Sequence, residues 1–112
     1  MVTVTDSSGY ILYYVDSGCI KDSSYRIILY FDSQTVKDSC YRIQYYLGRD
    51  VIQDSCYRLQ YRISNGCVQD CNFRLLLRYD ADCVRDANYR IVCRINGYLS
   101  YTQLCALFTL IA

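Results

Sequence analysis

The chain contains no histidine, no glutamate, no proline and no tryptophan. Without histidine and glutamate the commonest general bases and the usual nucleophilic triads are missing, and so are the imidazole ligands of most zinc sites. An enzyme is therefore not expected, nor is a metal or a cofactor. Without proline, the turns have to be made by Asp, Ser, Asn and Gly. A dominant charge sign is also lacking, since 12 basic residues face 11 aspartates for a net charge of +1. Nothing global points to nucleic acid or to an acidic membrane surface, and neither is expected as a partner.

What the sequence does contain is a repeat. The stretch Gln53–Val68, QDSCYRLQYRISNGCV, recurs at a period of sixteen, with copies beginning at Thr5, Lys21, Lys37, Gln53, Gln69 and Arg85. The second position is always aspartate: Asp6, Asp22, Asp38, Asp54, Asp70 and Asp86. The fifth is Tyr25, Tyr41, Tyr57, Phe73 or Tyr89, with Gly9 as the exception. The sixth is Arg26, Arg42, Arg58, Arg74 or Arg90, with Tyr10 in the first copy, and the seventh is always aliphatic. Met1–Val4 read as the end of a preceding unit, with Val4 in register with Ile20, Val36, Ile52, Val68 and Val84. A rhythm this regular accounts for most local coincidences of residue type before any motif is invoked.

Each unit carries two turn signals. One is Asp-Ser-x-Tyr or a variant of it. The other is Asp16-Ser17-Gly18, Leu47-Gly48-Arg49-Asp50, Ser64-Asn65-Gly66 or Asn96-Gly97, of the kind that tolerates positive φ in hairpins. Between them the pattern predicts a longer and a shorter strand. In Tyr57–Ile63, alternation puts Tyr57, Leu59, Tyr61 and Ile63 on one face and Arg58, Gln60 and Arg62 on the other. Twelve short strands make an antiparallel meander. Closure into a ring or barrel is expected because an open sheet of that size would leave two edges unpaired. The paired turn signals count against a stacked β-helix.

After Gly97 the repeat breaks, and residues 95–112 carry no charge. Ser100 with Gln103 fits a capping box and Leu99 with Leu104 a hydrophobic staple. Tyr101, Leu104, Cys105, Leu107, Phe108 and Ile111 share one broad face of the helix that results. Thr102, Ala106 and Thr109 lie opposite, with Leu110 out of place. The segment is too short for a bilayer, so it is expected to pack on the repeats or plug them. The whole, residues 1–112, reads as one all-β domain, with six repeats over 5–100 and a C-terminal helix over 100–112.

This rhythm resembles the β-flower proteins, small bacterial proteins whose β-hairpins surround a pseudo-symmetry axis in four-fold and five-fold versions. The similar residues are Asp22-Ser23 with Arg26-Ile27, Asp54-Ser55 with Arg58-Leu59, and Asp86 with Arg90-Ile91. The resemblance covers about Asp6 to Gly97. Members of that family usually place glycine after the Asp-Ser turn, as only Gly9 does here. The resemblance implies a fold and brings no activity with it.

Candidate chemistry is sparse. Eight cysteines in a short chain would suggest disulfides outside the cell. Yet Met1–Thr5 has neither a basic run nor an apolar stretch ahead of the first repeat, so reduced packing cysteines in the cytoplasm are expected. Cys67 and Cys71 have the spacing of a metal knuckle, but no second pair completes four ligands. The repeated aspartates read as turn formers.

The arginines are the most suggestive set. Arg58, Arg74 and Arg90 are expected to form one row and Arg62, Arg78 and Arg94 a second, as a candidate site for an anionic ligand. Tyr14, Tyr30 and Tyr46 stand in the second column of the first three units. The bland account has the arginines lying over tyrosines and pairing with turn aspartates. Aspartates are scarcer here, however: residues 57–112 hold four against seven arginines, while residues 1–56 hold seven against five bases. The expected role is a small binding or scaffolding domain. Its partner would be an anionic small molecule, an acidic peptide or the protein itself, with a purely structural, self-assembling protein as the alternative.

Overall fold

The computed structural model describes residues 1–112. Twelve strands follow one another as β1 (Val2–Thr5), β2 (Ile11–Val15), β3 (Cys19–Asp22), β4 (Ile27–Phe31), β5 (Thr35–Asp38), β6 (Ile43–Leu47), β7 (Val51–Asp54), β8 (Leu59–Ser64), β9 (Cys67–Asp70), β10 (Leu75–Tyr79), β11 (Cys83–Asp86) and β12 (Ile91–Asn96), then helix α1 (Tyr101–Ile111). Every neighbouring pair is antiparallel and the sheet closes on itself. Six hairpins of short and long strand thus form a flat barrel, 35 × 34 × 17 Å with its helix.

Closure falls to the N-terminal strand. Val4 pairs with Ile95 and Thr5 with Arg94, so β1 takes the place that a seventh short strand would occupy. Leu99 and Ser100, in register with that missing strand, lead into the helix instead. No strand edge is left to template association.

Inside, the sixteenth position of the unit makes a continuous ring. Val4, Ile20, Val36, Ile52, Val68 and Val84 are each at most 1% exposed. The short strands therefore point one residue inward and the residues on either side of it outward.

The long strands depart from the expected alternation. Ile52 faces Tyr61 while its neighbour Gln53 faces Leu59, with a register shift between them. One extra residue, Gln60, is inserted at that bulge, so Leu59 falls on the outer face with Arg62 while Tyr61 and Ile63 turn inward. The same shift recurs in the other five hairpins. The reading that put Leu59 and Tyr61 on one face is thereby corrected.

Each bulge is coupled to the Asp-Ser turn before it. Tyr57 N–H donates to Asp54 O at 3.0 Å and Asp54 N–H to Arg58 O at 2.9 Å. The fifth-position residue then sits in the left-handed region, at φ 65° to 67° for Tyr25, Tyr41, Tyr57, Phe73 and Tyr89 and 90° for Gly9. This is a type I turn followed by a left-handed residue, a position where glycine is usual. The aspartate carboxylate holds it in place. Oδ1 of each repeated Asp accepts the N–H groups two and four residues on, at 2.8 to 3.0 Å in all six copies.

Helix α1 plugs the barrel. Cys105, Ala106, Leu107 and Phe108 are all fully buried, and four consecutive residues cover about 300° of a helix circumference. The helix is therefore enclosed on every side at that level and does not lie on the surface. Its 11 residues span about 16 Å, close to the thickness of the disc. The capping box forms, with Gln103 N–H donating to Ser100 Oγ at 3.3 Å and Ser100 N–H to Gln103 Oε1 at 2.9 Å. Gln103 Nε2 also donates to Asp16 O at 3.0 Å, and Tyr101 Oη accepts from Asp50 N–H at 2.9 Å. Both contacts tie the N-terminus of α1 to the end of the barrel opposite the Asp-Ser turns. Leu110, out of place on the wheel, packs against the core like its neighbours.

Candidate functional site

The left-handed turn residue aims its ring sideways, over the tenth-position residue of the preceding repeat. Tyr25 stacks on Tyr14, Tyr41 on Tyr30 and Tyr57 on Tyr46, with centroids 4.3 to 4.4 Å apart and planes within 13°. In the next two repeats the lower partner is an arginine. The guanidinium carbon of Arg62 lies 4.3 Å from the centroid of Phe73 and that of Arg78 lies 4.4 Å from Tyr89. The outer wall is thus a belt of equivalent stacks, tyrosine on tyrosine along one arc and aromatic on arginine along the other.

The six candidate arginines separate into two environments. Arg58 and Arg74 bend back on their own turns, Nε to Asp54 Oδ2 and Asp70 Oδ2 at 3.2 Å, as Arg42 does on Asp38. Arg90 belongs to that turn column but has no carboxylate within salt-bridge distance. Arg62 and Arg78 belong to the wall, and their Nε atoms are buried without any hydrogen-bond partner. Arg94, the third of the wall column, is exposed. The bulge separates the two columns, so Arg58, Arg74 and Arg90 line the turn end and the others the belt.

Cross-strand pairing sharpens the charge on this arc. Arg78 stands directly opposite Arg85, and Arg62 opposite Gln69. Arg85 reaches Asp80 at 3.5 Å, while none of Arg62, Arg78 and Arg94 has an acidic neighbour within that range. On the other arc the equivalent pairs are Tyr14 with Lys21 and Tyr30 with Lys37. Lys21 meets Asp16 at 3.5 Å, and Lys37 lies 5.8 Å from the ring of Tyr41.

The aspartates are electrostatically settled. Donation from the backbone N–H of Arg26 to Asp22, and from Arg42, Arg58 and Arg74 to Asp38, Asp54 and Asp70, holds these carboxyls below their ordinary range. They are bound to the turns and are not poised for acid–base work.

Three cavities flank the helix, one of them, about 400 Å³, between Ser17, Asp32 and the first turn at Thr102 and Gln103. A second, of about 460 Å³, opens beside its N-terminus among Tyr79, Ile95, Tyr98 and Leu104, with Asp80 and Asp82 at its edge. Those carboxylates make it hostile to anions. Another, about 490 Å³, lies near Thr109 and Leu110, and its charged lining includes the paired Asp38 and Arg42.

All eight cysteines carry free thiols, and no three metal-ligating side chains converge. Burial pushes the Cys93 and Cys105 thiols up to about 11, which makes them poor nucleophiles. No helix is long and apolar enough to cross a membrane. The expected account of arginines lying over tyrosines and pairing with turn aspartates holds at Arg78 over Tyr89 and at Arg58 and Arg74, while the tyrosine-on-tyrosine stacks were missed. The signal for them is the aromatic at the fifth position of five repeats, eleven residues after the column it covers. The fold and this wall define a closed antiparallel barrel of six hairpins, in keeping with a β-flower-like repeat architecture. Comparison with protein-family models, curated proteins and solved structures returned no match.

Proposed function

We propose that the chain is a small binding domain that takes an anionic partner on the arginine arc of its outer wall, through Arg62, Arg78 and Arg94. The observation carrying this reading is the contrast at one atom. Nε of Arg42, Arg58 and Arg74 donates to a carboxylate at 3.2 Å, while Nε of Arg62 and Arg78 is buried with no acceptor. Stacking on an aromatic ring offsets part of that cost, but a charged donor left without an acceptor inside a protein is unusual and calls for an explanation. An anion set against the guanidinium edges would offset the charge through paired hydrogen bonds. In this reading the chain is a six-hairpin relative of the β-flower proteins, works in the reducing cytoplasm that suits its thiols, and catalyses nothing.

The test is the variant R62Y/R78Y/R94Y, which copies the tyrosine arc. Wild-type protein should melt several degrees higher in millimolar pyrophosphate, and the variant should fold but lose that shift. If wild type ignores pyrophosphate while the variant is markedly less stable, the arginines are structural and the reading is wrong.

A second reading is a self-assembling scaffold. It is favoured by the exposure of the five turn aromatics, from 57% at Tyr25 to 64% at Tyr57, an apolar surface of the kind found at protein contacts. Sedimentation velocity across a hundredfold concentration range distinguishes it, since only a scaffold would change in mass.

A further inference from the structure

The belt of stacks has six positions and five rings. Going round the barrel, each tenth-position side chain is covered by the fifth-position residue of the following repeat. For Arg94, whose following repeat is the first, that residue is Gly9. The backbone there is the same as in the other five turns: Asp6 Oδ1 accepts the N–H groups of Ser8 and Tyr10, and φ of Gly9 is left-handed at 90°. A Cβ placed on Gly9 meets no atom within 4 Å. Tyr10 next to it gives no cover, because it occupies the position at which the other repeats carry arginine and stands 74% exposed. Arg94 accordingly has neither a ring above it nor a carboxylate beside it. The floor of the position is small, with Thr5 and Cys83 paired across from Arg94 on the flanking strands.

We propose that this open position over Arg94 is a binding subsite for a small aryl anion, whose ring lies on the guanidinium as Phe73 lies on Arg62 and Tyr89 on Arg78. The five occupied positions show what fits: one flat six-membered ring 4.3 to 4.4 Å from the side chain below, nearly parallel to it in the three tyrosine stacks. Charge selects the ligand further. The side chain of Arg94 and, across the bulge at the turn end, that of Arg90 are both without acidic partners, so an aromatic ring bearing a phosphate or carboxylate is favoured over a neutral ring or an arylamine. The proposal rests on the anion-binding reading of the arginine arc and narrows it to a ligand shape and one end of that arc.

The test uses phenyl phosphate, inorganic phosphate and benzyl alcohol, followed by the Nε–Hε signals of arginine in ¹⁵N spectra. Phenyl phosphate should bind wild type roughly tenfold more tightly than inorganic phosphate, the order of one cation–π contact, and should shift Arg94 most. Gly9→Tyr should place a ring of the chain's own over Arg94, abolish that advantage and leave inorganic phosphate binding unchanged. Gly9→Ala should keep the position open and the preference intact. Should Gly9→Tyr fail to fold, Arg94→Gln provides the second check, because it removes the guanidinium and should also erase the preference. Equal binding of phenyl and inorganic phosphate by wild type, or undiminished preference in Gly9→Tyr, overturns the subsite while the arc survives. If neither phosphate binds wild type at all, the arc itself is refuted.

Discussion

Repeats one to three and repeats four to six share a backbone and differ in what lies on it. Both arcs use the same turn and the same bulge, and, Gly9 and the uncovered Arg94 aside, both stack a left-handed aromatic 4.3 to 4.4 Å above the wall. Only the lower partner changes, from tyrosine to arginine. The comparison separates two jobs within one sixteen-residue unit. The Asp, the left-handed residue and the inward sixteenth position make the fold, and they vary little. The tenth position faces outward under a ring and tolerates both a neutral phenol and a cation, because either presents a flat surface to the ring. A function written at the tenth position can therefore differ between arcs without disturbing the barrel.

The largest effect expected from breaking this equivalence comes from what the arcs share. The helix plugs both, since α1 meets β4 in the second repeat and Phe108 packs at 5.0 Å against Tyr79 in the fifth. Phe108→Ala should cost about 3–5 kcal/mol, a large part of the 5–15 kcal/mol typical of a domain. Deleting residues 100–112 should leave an aggregating chain. Hydrogen exchange on Phe108→Ala should show protection falling in both arcs together. Loss confined to the arginine arc would mean that the arcs are stabilised separately.

Acid should come next, and again without distinguishing the arcs. The carboxyls of Asp22 and Asp38 on one side and Asp54 and Asp70 on the other are held below their ordinary range by backbone N–H donation. A group whose folded pKa is depressed stabilises the native state above its unfolded value, about 3.9 for aspartate, and that contribution is lost as pH falls through the folded value. Melting temperature should be flat from pH 7 to about 5 and drop below about 4. Carboxyl NMR titrations of Asp38 and Asp70 should both lie below the ordinary value and close to each other. An Asp70 that titrated like a free carboxylate would show that the arginine arc holds its turns by other means.

Much of this fold could be read from the residues. The period, two turns per unit, closure and the Ser100–Gln103 cap all rest on local chemistry that a single chain displays. The phase of the long strands could not be read, because alternation across Tyr57–Ile63 looks unbroken. It fails only because Gln60 is left without a cross-strand partner where Gln53 pairs with Leu59 and Ile52 with Tyr61. The turn aromatics were hidden for a related reason. Tyrosine has little propensity for a left-handed backbone; the Asp-held turn imposes it, and the partner on which the ring stacks lies eleven residues away, which no local window contains. Of the candidate site, the column Arg62, Arg78 and Arg94 was visible as a spacing. The division between these and the self-paired Arg58 and Arg74 depends on which way the bulge turns each side chain. The enclosed Ala106 was likewise unreadable, since a helical wheel assumes one wet face and a plug has none.

The smallest effect expected is at the turn aromatics, and it compares the arcs most directly. A non-glycine residue in the left-handed region pays roughly 1–2 kcal/mol of backbone strain, while a stacked ring returns roughly 0.5–1.5 kcal/mol against tyrosine or 0.5–1 kcal/mol against an exposed cation. Strain and stacking thus nearly cancel, which is why five repeats can carry an aromatic where glycine would serve. Tyr41→Ala and Phe73→Ala keep the strain and lose the stack, so each should destabilise by about 1 kcal/mol. Tyr41→Gly and Phe73→Gly lose both and should be close to neutral, as Gly9 already is in the first repeat. Chemical denaturation of the four variants measures this. If Phe73→Ala costs several kcal/mol more than Tyr41→Ala, the ring over Arg62 supports a buried charge that nothing else compensates, and the two arcs are not interchangeable.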